Sequence, residues 1–213
     1  VRQNLLTHQA NHDEAMGSFG FDVAKKTILI VGGSLGARTI NDTMKAAFET
    51  IKENKDIQFI WQTGKIYIEE VEDFVKEKTG ETVKDHRVAS VPNLFITEFI
   101  KNMDDAYAAA DLVISRAGAG SISEFCLLRK PVILVPSPNV AEDHQTKNAL
   151  ALVSKDAALY VKDSEAVNNL IPVALETVRD DEKLQSLSTN IATLALPDSA
   201  NIIAKEVLKL IKA

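Results

Sequence analysis

The chain has 213 residues, 46% of them hydrophobic and 25% charged, with a formal net charge of -6 at pH 7. This suits a globular protein that buries a sizeable core in one large α/β domain. It excludes non-specific nucleic-acid binding, which needs a basic face, while the single Cys126 rules out an internal disulfide and fits a reducing compartment.

Residues 1–22 are polar and poorly periodic, with Gly17 and Gly20, and read as a linker or irregular lead-in to a domain over 23–213. The chain opens with Val1 rather than Met, as a fragment of something longer would. Strands are expected at 27–31, 57–61, 94–98, 112–115, 132–135 and 158–161. Each is a short run rich in Val, Ile and Leu and apolar on both faces, as buried parallel strands are. After the first strand, Ile40, Met44, Ala47, Phe48 and Ile51 form a helical stripe; after the second, Tyr67, Val71, Phe74 and Val75 form another. Three more helices are expected at 165–178, 181–194 and 201–211. Such alternation builds an α/β fold, a Rossmann-like open parallel sheet of about six strands with helices on both faces. Cys126 falls in an apolar helical stretch, where packing rather than nucleophilic chemistry is its expected role. No apolar run approaches the roughly 18 residues needed to span a bilayer, and no signal peptide is visible.

Five of the nine glycines sit in two strand-to-helix joins, Gly32, Gly33 and Gly36 in KTILIVGGSLGARTIND and Gly118 and Gly120 in DLVISRAGAGSISE. Glycine lets backbone amides approach a ligand, and helix N-termini carry partial positive charge and unpaired N–H groups. Two such joins facing one crevice would hold a phosphate or diphosphate without a metal. In open parallel sheets that crevice lies outside the strand carboxyl ends, where strand order reverses. The segments 99–103 and 136–143 are expected on the same edge.

Gly32-Gly33-Ser34-Leu35-Gly36 admits three functional readings. It fails as a dinucleotide fingerprint, because the GxGxxG spacing is absent and Gln62 and Thr63, not an acid, end the second strand. It matches GxSxG, the nucleophile elbow of serine hydrolases, with Ser34 as nucleophile, although only a polar lead-in precedes it. As a phosphate cradle it would use the Ser34 hydroxyl and backbone amides. A tight turn with no ligand stands beside all three. Gly64-Lys65 is no Walker loop, since Phe59 occupies the place of the upstream glycine. Glu124 reads either as a ribose acceptor or as a carboxylate serving its own helix start. His144 and Gln145 offer donors and acceptors to sugar hydroxyls, or are surface polar residues. Arg116 is expected to pair with a nearby acid rather than touch phosphate. No His, Cys, Asp and Glu cluster has metal-ligand spacing.

Together, GGSLGARTIN, WQTGK, TEFIKNMDDAYAAADLVISRAGAGSISE, DHQTKNA and PDSANIIAKEV run in order over nearly the whole chain. In them it resembles the C-terminal half of the MurG family, bacterial N-acetylglucosaminyltransferases that make lipid II from lipid I. The resemblance implies the donor-binding domain of a two-domain GT-B fold, its N-terminal acceptor domain absent here. It places Ile100 with its backbone on the uracil ring, Ser34 with Gly33 at the diphosphate, and Arg2, from a family NPVR segment, on the same group. Ala119, Gly120 and Ser121 become the donor loop, with Glu124 on the ribose hydroxyls and Gln145 on N-acetylglucosamine. His144 stands where a common family pattern has a second glutamine.

The expected function is binding of UDP-GlcNAc for inverting transfer of GlcNAc to lipid I in peptidoglycan synthesis, with no cofactor required. The expected partners are UDP-GlcNAc, lipid I through the missing domain and the cytoplasmic membrane surface. The full-length protein is expected in the cytoplasm, peripheral on the inner face of the membrane. No catalytic residue is assigned. The rivals are a GT-B transferase with another lipid acceptor, a non-catalytic sugar-nucleotide-binding subunit, and the serine hydrolase.

Overall fold

The structure is a computed structural model and describes residues 10–211. Its sheet has the order β3-β4-β2-β1-β5-β6-β7, with β1 at Lys26–Val31, β2 at Ile57–Gln62, β3 at Arg87–Val88, β4 at Val91–Thr97, β5 at Leu112–Ser115, β6 at Val132–Leu134 and β7 at Leu159–Tyr160. Every pairing is parallel except β3 with β4. The expected strands are all present, joined by the short antiparallel edge strand β3. The central strands are buried on both faces, and that burial separates two cores. Ile28, Ile30, Phe59, Trp61, Leu112 and Ile114 point to one core, with Ile40, Met44, Val71, Val75, Leu170 and Val178 from the helices. Leu29, Val31, Ile60 and Val113 point to the other, with Met16, Tyr107, Phe125, Cys126, Ala149 and Leu152.

Alternate residues thus serve opposite faces, as the period of a strand requires. Cys126 is buried there, and desolvation pushes its thiol pKa up, so packing is its role.

Two local readings change. The lead-in carries a helix, His12–Ser18, with the Asn11 side chain accepting from Asp13 N at its start. Only Ala15 and Met16 of that helix are buried, too few to make a visible stripe. The stripe from Ile40 to Ile51 divides into two helices, Arg38–Ala46 and Phe48–Glu53, which meet at Ala47. Ile40, Met44, Phe48 and Ile51 stay buried through the break.

Register sets where the loops emerge. Thr97 pairs with Gln62, Gln62 with Val31, Val31 with Ser115, Ser115 with Leu134, and Leu134 with Tyr160. The last residues of six strands therefore form one row, and their exit loops leave side by side. The chain runs from β1 to β2 and β4 on one side, then returns to β5 on the other side of β1. The switch point lies between the exits of β1 and β5, where the two glycine joins are. Among the described residues, no helix is long and apolar enough to cross a membrane.

The opposite edge holds an unusual cation. Lys130 Nζ donates to Ala110 O at 2.9 Å, and burial pushes its pKa from 10.5 down to about 8. Below about pH 8 the ammonium is charged in both the folded and the unfolded chain, and the folded state carries the full cost of burying it. That cost is relieved as pH rises from about 8 toward 10.5. Lys130→Met should therefore raise the melting temperature at pH 7, and the gain over the parent should shrink toward pH 10. An equal gain at both pH values in thermal melts would assign the effect to packing alone.

Candidate functional site

A cleft of about 350 Å³ opens at the switch point, lined by Val31, Gly33, Ser34, Gln62, Phe99, Ile100, Met103, Tyr107, Ser115, Gly120, Ser121 and Glu124. Of the residues singled out in the sequence, Gly33, Ser34, Ile100, Gly120, Ser121 and Glu124 meet on this one wall. Ala119 begins the helix Ala119–Leu128, immediately before Gly120 and Ser121. His144 and Gln145, at the start of the helix His144–Val153, are not among the residues lining this cleft. Arg2 lies outside the described residues.

The first join is shaped by backbone contact. Gly33 and Gly36 have φ of 89° and 84°, and Ser34 is not among the positive-φ residues. A nucleophile elbow puts its serine on the strained turn; here the glycines take that conformation and Ser34 is left exposed in an ordinary one. Gly36 lies directly against the exit loop of β2, so a Cβ there would sit 2.1 Å from Thr63 O, and one on Gly64 would sit 2.2 Å from Gly36 N. The glycine of WQTGK is thus the partner of the β1 loop. Gln62 adds a brace, its Nε2 donating to Gly33 O at 2.9 Å and Glu98 O at 3.1 Å.

The second join differs. A Cβ on Gly118 or Gly120 would meet nothing within 4 Å, and neither residue has positive φ. Neither the fold nor the turn demands glycine at these positions, which keep the wall low where a ligand would lie. The helices Arg38–Ala46 and Ala119–Leu128 both start without a side-chain cap and without an acid in the first turn. Neither helix start therefore has its first amides taken up by its own side chains, although Asp163, from the turn after β7, bonds the Thr39 hydroxyl at the first of them. Among the described residues lining the cleft there is no Lys or Arg, so any anion there would meet backbone amides and uncharged donors such as the Ser34 and Ser121 hydroxyls.

Glu124 is the sixth residue of its helix, beyond the first turn where capping and dipole effects act. It is 9% exposed on the cleft wall, and its Oε2 accepts from Tyr107 Oη at 2.9 Å. Tyr107, which sequence reasoning passed over, packs edge-on against Phe125 at 5.9 Å. Its only sequence signal is that it is the one aromatic residue in the helix Met103–Ala109. Gln145 Oε1 accepts from Ala117 N at 3.2 Å and Ser137 N at 2.9 Å, so it joins the exit loops of β5 and β6. Two N–H donors require the oxygen, which fixes the orientation of the amide. His144 Nδ1 lies 2.8 Å from Ala141 O within its own turn. Arg116 pairs with Asp163, as expected. Among the described residues, no group of His, Cys, Asp and Glu could hold a metal ion.

Residues 27–203 match the glycosyltransferase family 28 C-terminal domain. A Bacteroides fragilis UDP-N-acetylglucosamine--N-acetylmuramyl-(pentapeptide) pyrophosphoryl-undecaprenol N-acetylglucosamine transferase is 67% identical over 210 residues, covering 99% of this chain and 53% of that protein. The Bacteroides thetaiotaomicron protein of the same name is 66% identical over 213 residues, covering 100% and 55%. The crystal structure of Acinetobacter baumannii MurG superposes with a TM-score of 0.70 at 26% identity, over 96% of this chain and 55% of that one. The chain spans about half the length of the curated relatives it matches.

The two joins should respond in opposite ways to the same substitution. Gly36→Ala, forced into positive φ and against Thr63 O, should lower stability by about 2–4 kcal/mol. Gly120→Ala, in a helix and in open space, should raise it by up to about 1 kcal/mol. Urea denaturation of both variants checks this; a comparable loss in Gly120→Ala would contradict the open geometry.

Proposed function

The chain belongs to the glycosyltransferase family 28 C-terminal domains, and from that membership we propose that it is the donor-binding half of an inverting N-acetylglucosaminyltransferase. Its donor is UDP-GlcNAc, and the acceptor of the whole protein is lipid I, giving lipid II. The observation that carries the reading is the convergence of Gly33, Ser34, Ile100, Gly120, Ser121 and Glu124 on one cleft at the switch point, in a chain 67% identical to a transferase of that name. Uracil lies against the Ile100 main chain, the ribose hydroxyls donate to Glu124, and the diphosphate lies across Ser34 and the two open helix starts. Arg2 is assigned to the same diphosphate. Gln145 offers its amide NH2 to the sugar, because its oxygen already holds two loops.

In the transfer, an acceptor hydroxyl attacks the anomeric carbon from the face opposite UDP. The bond from that carbon to the β-phosphate oxygen breaks, and its electron pair leaves with UDP. Preorganised amides at the two helix starts and the Ser34 hydroxyl stabilise the charge that develops there, so no metal ion is required. The base that takes the acceptor proton is assigned to the other half of the protein, together with the lipid contacts. The whole enzyme is placed in the cytoplasm, peripheral on the inner face of the membrane.

Calorimetry should detect UDP-GlcNAc binding by this chain, unchanged by EDTA, while the chain alone transfers essentially no GlcNAc to a lipid I analogue. Robust transfer by the chain alone, or binding abolished by EDTA, would overturn the corresponding part of the proposal.

Glu124→Gln keeps an acceptor for Tyr107 but removes the charge. It should weaken UDP by about 1.5–3 kcal/mol, the range for hydrogen bonds to a charged group, at unchanged stability. Unchanged UDP affinity with a lowered melting temperature would make Glu124 a structural partner of Tyr107 only.

A further inference from the structure

Arg116 follows the last residue of β5 and immediately precedes the second glycine join, yet its side chain turns away from the cleft. Nη1 donates to Val135 O at 3.0 Å and Pro136 O at 3.2 Å, and it also meets Asp163 Oδ1. Asp163 Oδ2 in turn accepts from Thr39 Oγ1 at 2.9 Å. The two charged side chains are 16% and 18% exposed. A single ion pair thereby gathers four pieces of chain that leave the same sheet edge: the helix after the β1 loop, the β5 exit, the β6 exit and the turn after β7. None of Thr39, Arg116 and Asp163 lines the cleft.

The walls it joins are the two that would face the sugar diphosphate. Ser34 lies five residues before Thr39, and Gly120 lies four after Arg116. The base end of the cleft hangs elsewhere, from the β4 exit and the helix Met103–Ala109, through Ile100, Met103 and Tyr107. Glu124, assigned to the ribose, belongs to only one of the two walls, so uridine does not bridge them. We propose that Arg116 and Asp163, with Thr39, are positioning residues that set the separation of the two glycine joins. They would thereby determine affinity for the diphosphate-sugar part of the donor without touching it. A guanidinium suits this task because it stays charged and its N–H groups are held in a fixed plane, and here the one nitrogen Nη1 meets two carbonyls and a carboxylate. The inference rests on the donor-binding reading of the cleft.

Titration with two ligands separates positioning from general stability. Asp163→Asn retains the shape and an acceptor for Thr39 but loses the charge. It should weaken UDP-GlcNAc by about tenfold, the scale of one lost charge-assisted hydrogen bond, while uridine affinity measured by NMR titration changes by less than about twofold. Thr39→Val should act in the same direction, and Thr39→Ser, which restores the hydroxyl, should return the parent ratio of the two affinities. If Asp163→Asn does not fold, the two Thr39 variants decide the question. Loss of both ligands in equal proportion, or an unchanged ratio, would overturn the positioning role while leaving the donor reading intact. A parent chain that binds uridine but not UDP-GlcNAc would overturn both.

Discussion

Val31 is paired with Gln62 on one side and Ser115 on the other, and the whole site depends on that register. Parallel strands held flush deliver their exit loops at one height. A slip of one residue would turn each buried side chain to the opposite face and move its loop out of the row. The buried, branched side chains of β1, β2 and β5 make such a slip costly, because two separate cores would lose their partners together. Residues as distant in the chain as Ser34 and Glu124 share one wall because the apolar interior of the sheet leaves them no other arrangement.

The loops themselves are stiffened by contacts that present little side chain to the cleft. Trp61 Nε1 donates to Asn41 Oδ1 at 2.9 Å, and Asn41 Nδ2 donates to Thr63 O at 2.9 Å, so a buried polar chain ties the β2 exit to the helix after the β1 loop. Gln62 fastens the β1 and β4 exits, and Gln145 fastens those of β5 and β6. Each of these polar groups is thereby satisfied at its own site. The amides facing the cleft are fixed before any ligand arrives, which is the condition under which dipoles stabilise charge without reorganising.

Much of this could be read from the sequence, and the exceptions have physical reasons. Long apolar runs such as ILIV and LVIS report strands buried on both faces, whereas β3 is two residues long at an edge and leaves no periodic trace. Gly33 was legible because glycine beside a strand end is a backbone signal, and Gly120 because small residues at a helix start leave room above the sheet edge. Gln145 was legible as a polar residue at a helix start, but not the engagement of its oxygen by Ala117 and Ser137, since those amides come from loops distant in sequence. Tyr107 was passed over for a similar reason, because its bond to Glu124 joins two helices separated by a strand. The pairing of Arg116 was foreseen from its chemistry, while its partner, 47 residues downstream, came only from the fold.

The mutual approach of Gly36 and Gly64 has a pharmacological consequence. Resistance to an inhibitor usually arises when a side chain that touches it is exchanged for another. At Gly33 the wall is main chain, and at Gly36 and Gly64 any added carbon would run into the opposing backbone. A compound that drew its hydrogen bonds from those amides would rest on a surface with few viable escape mutations, because a substitution that altered the drug contact would unseat the fold first.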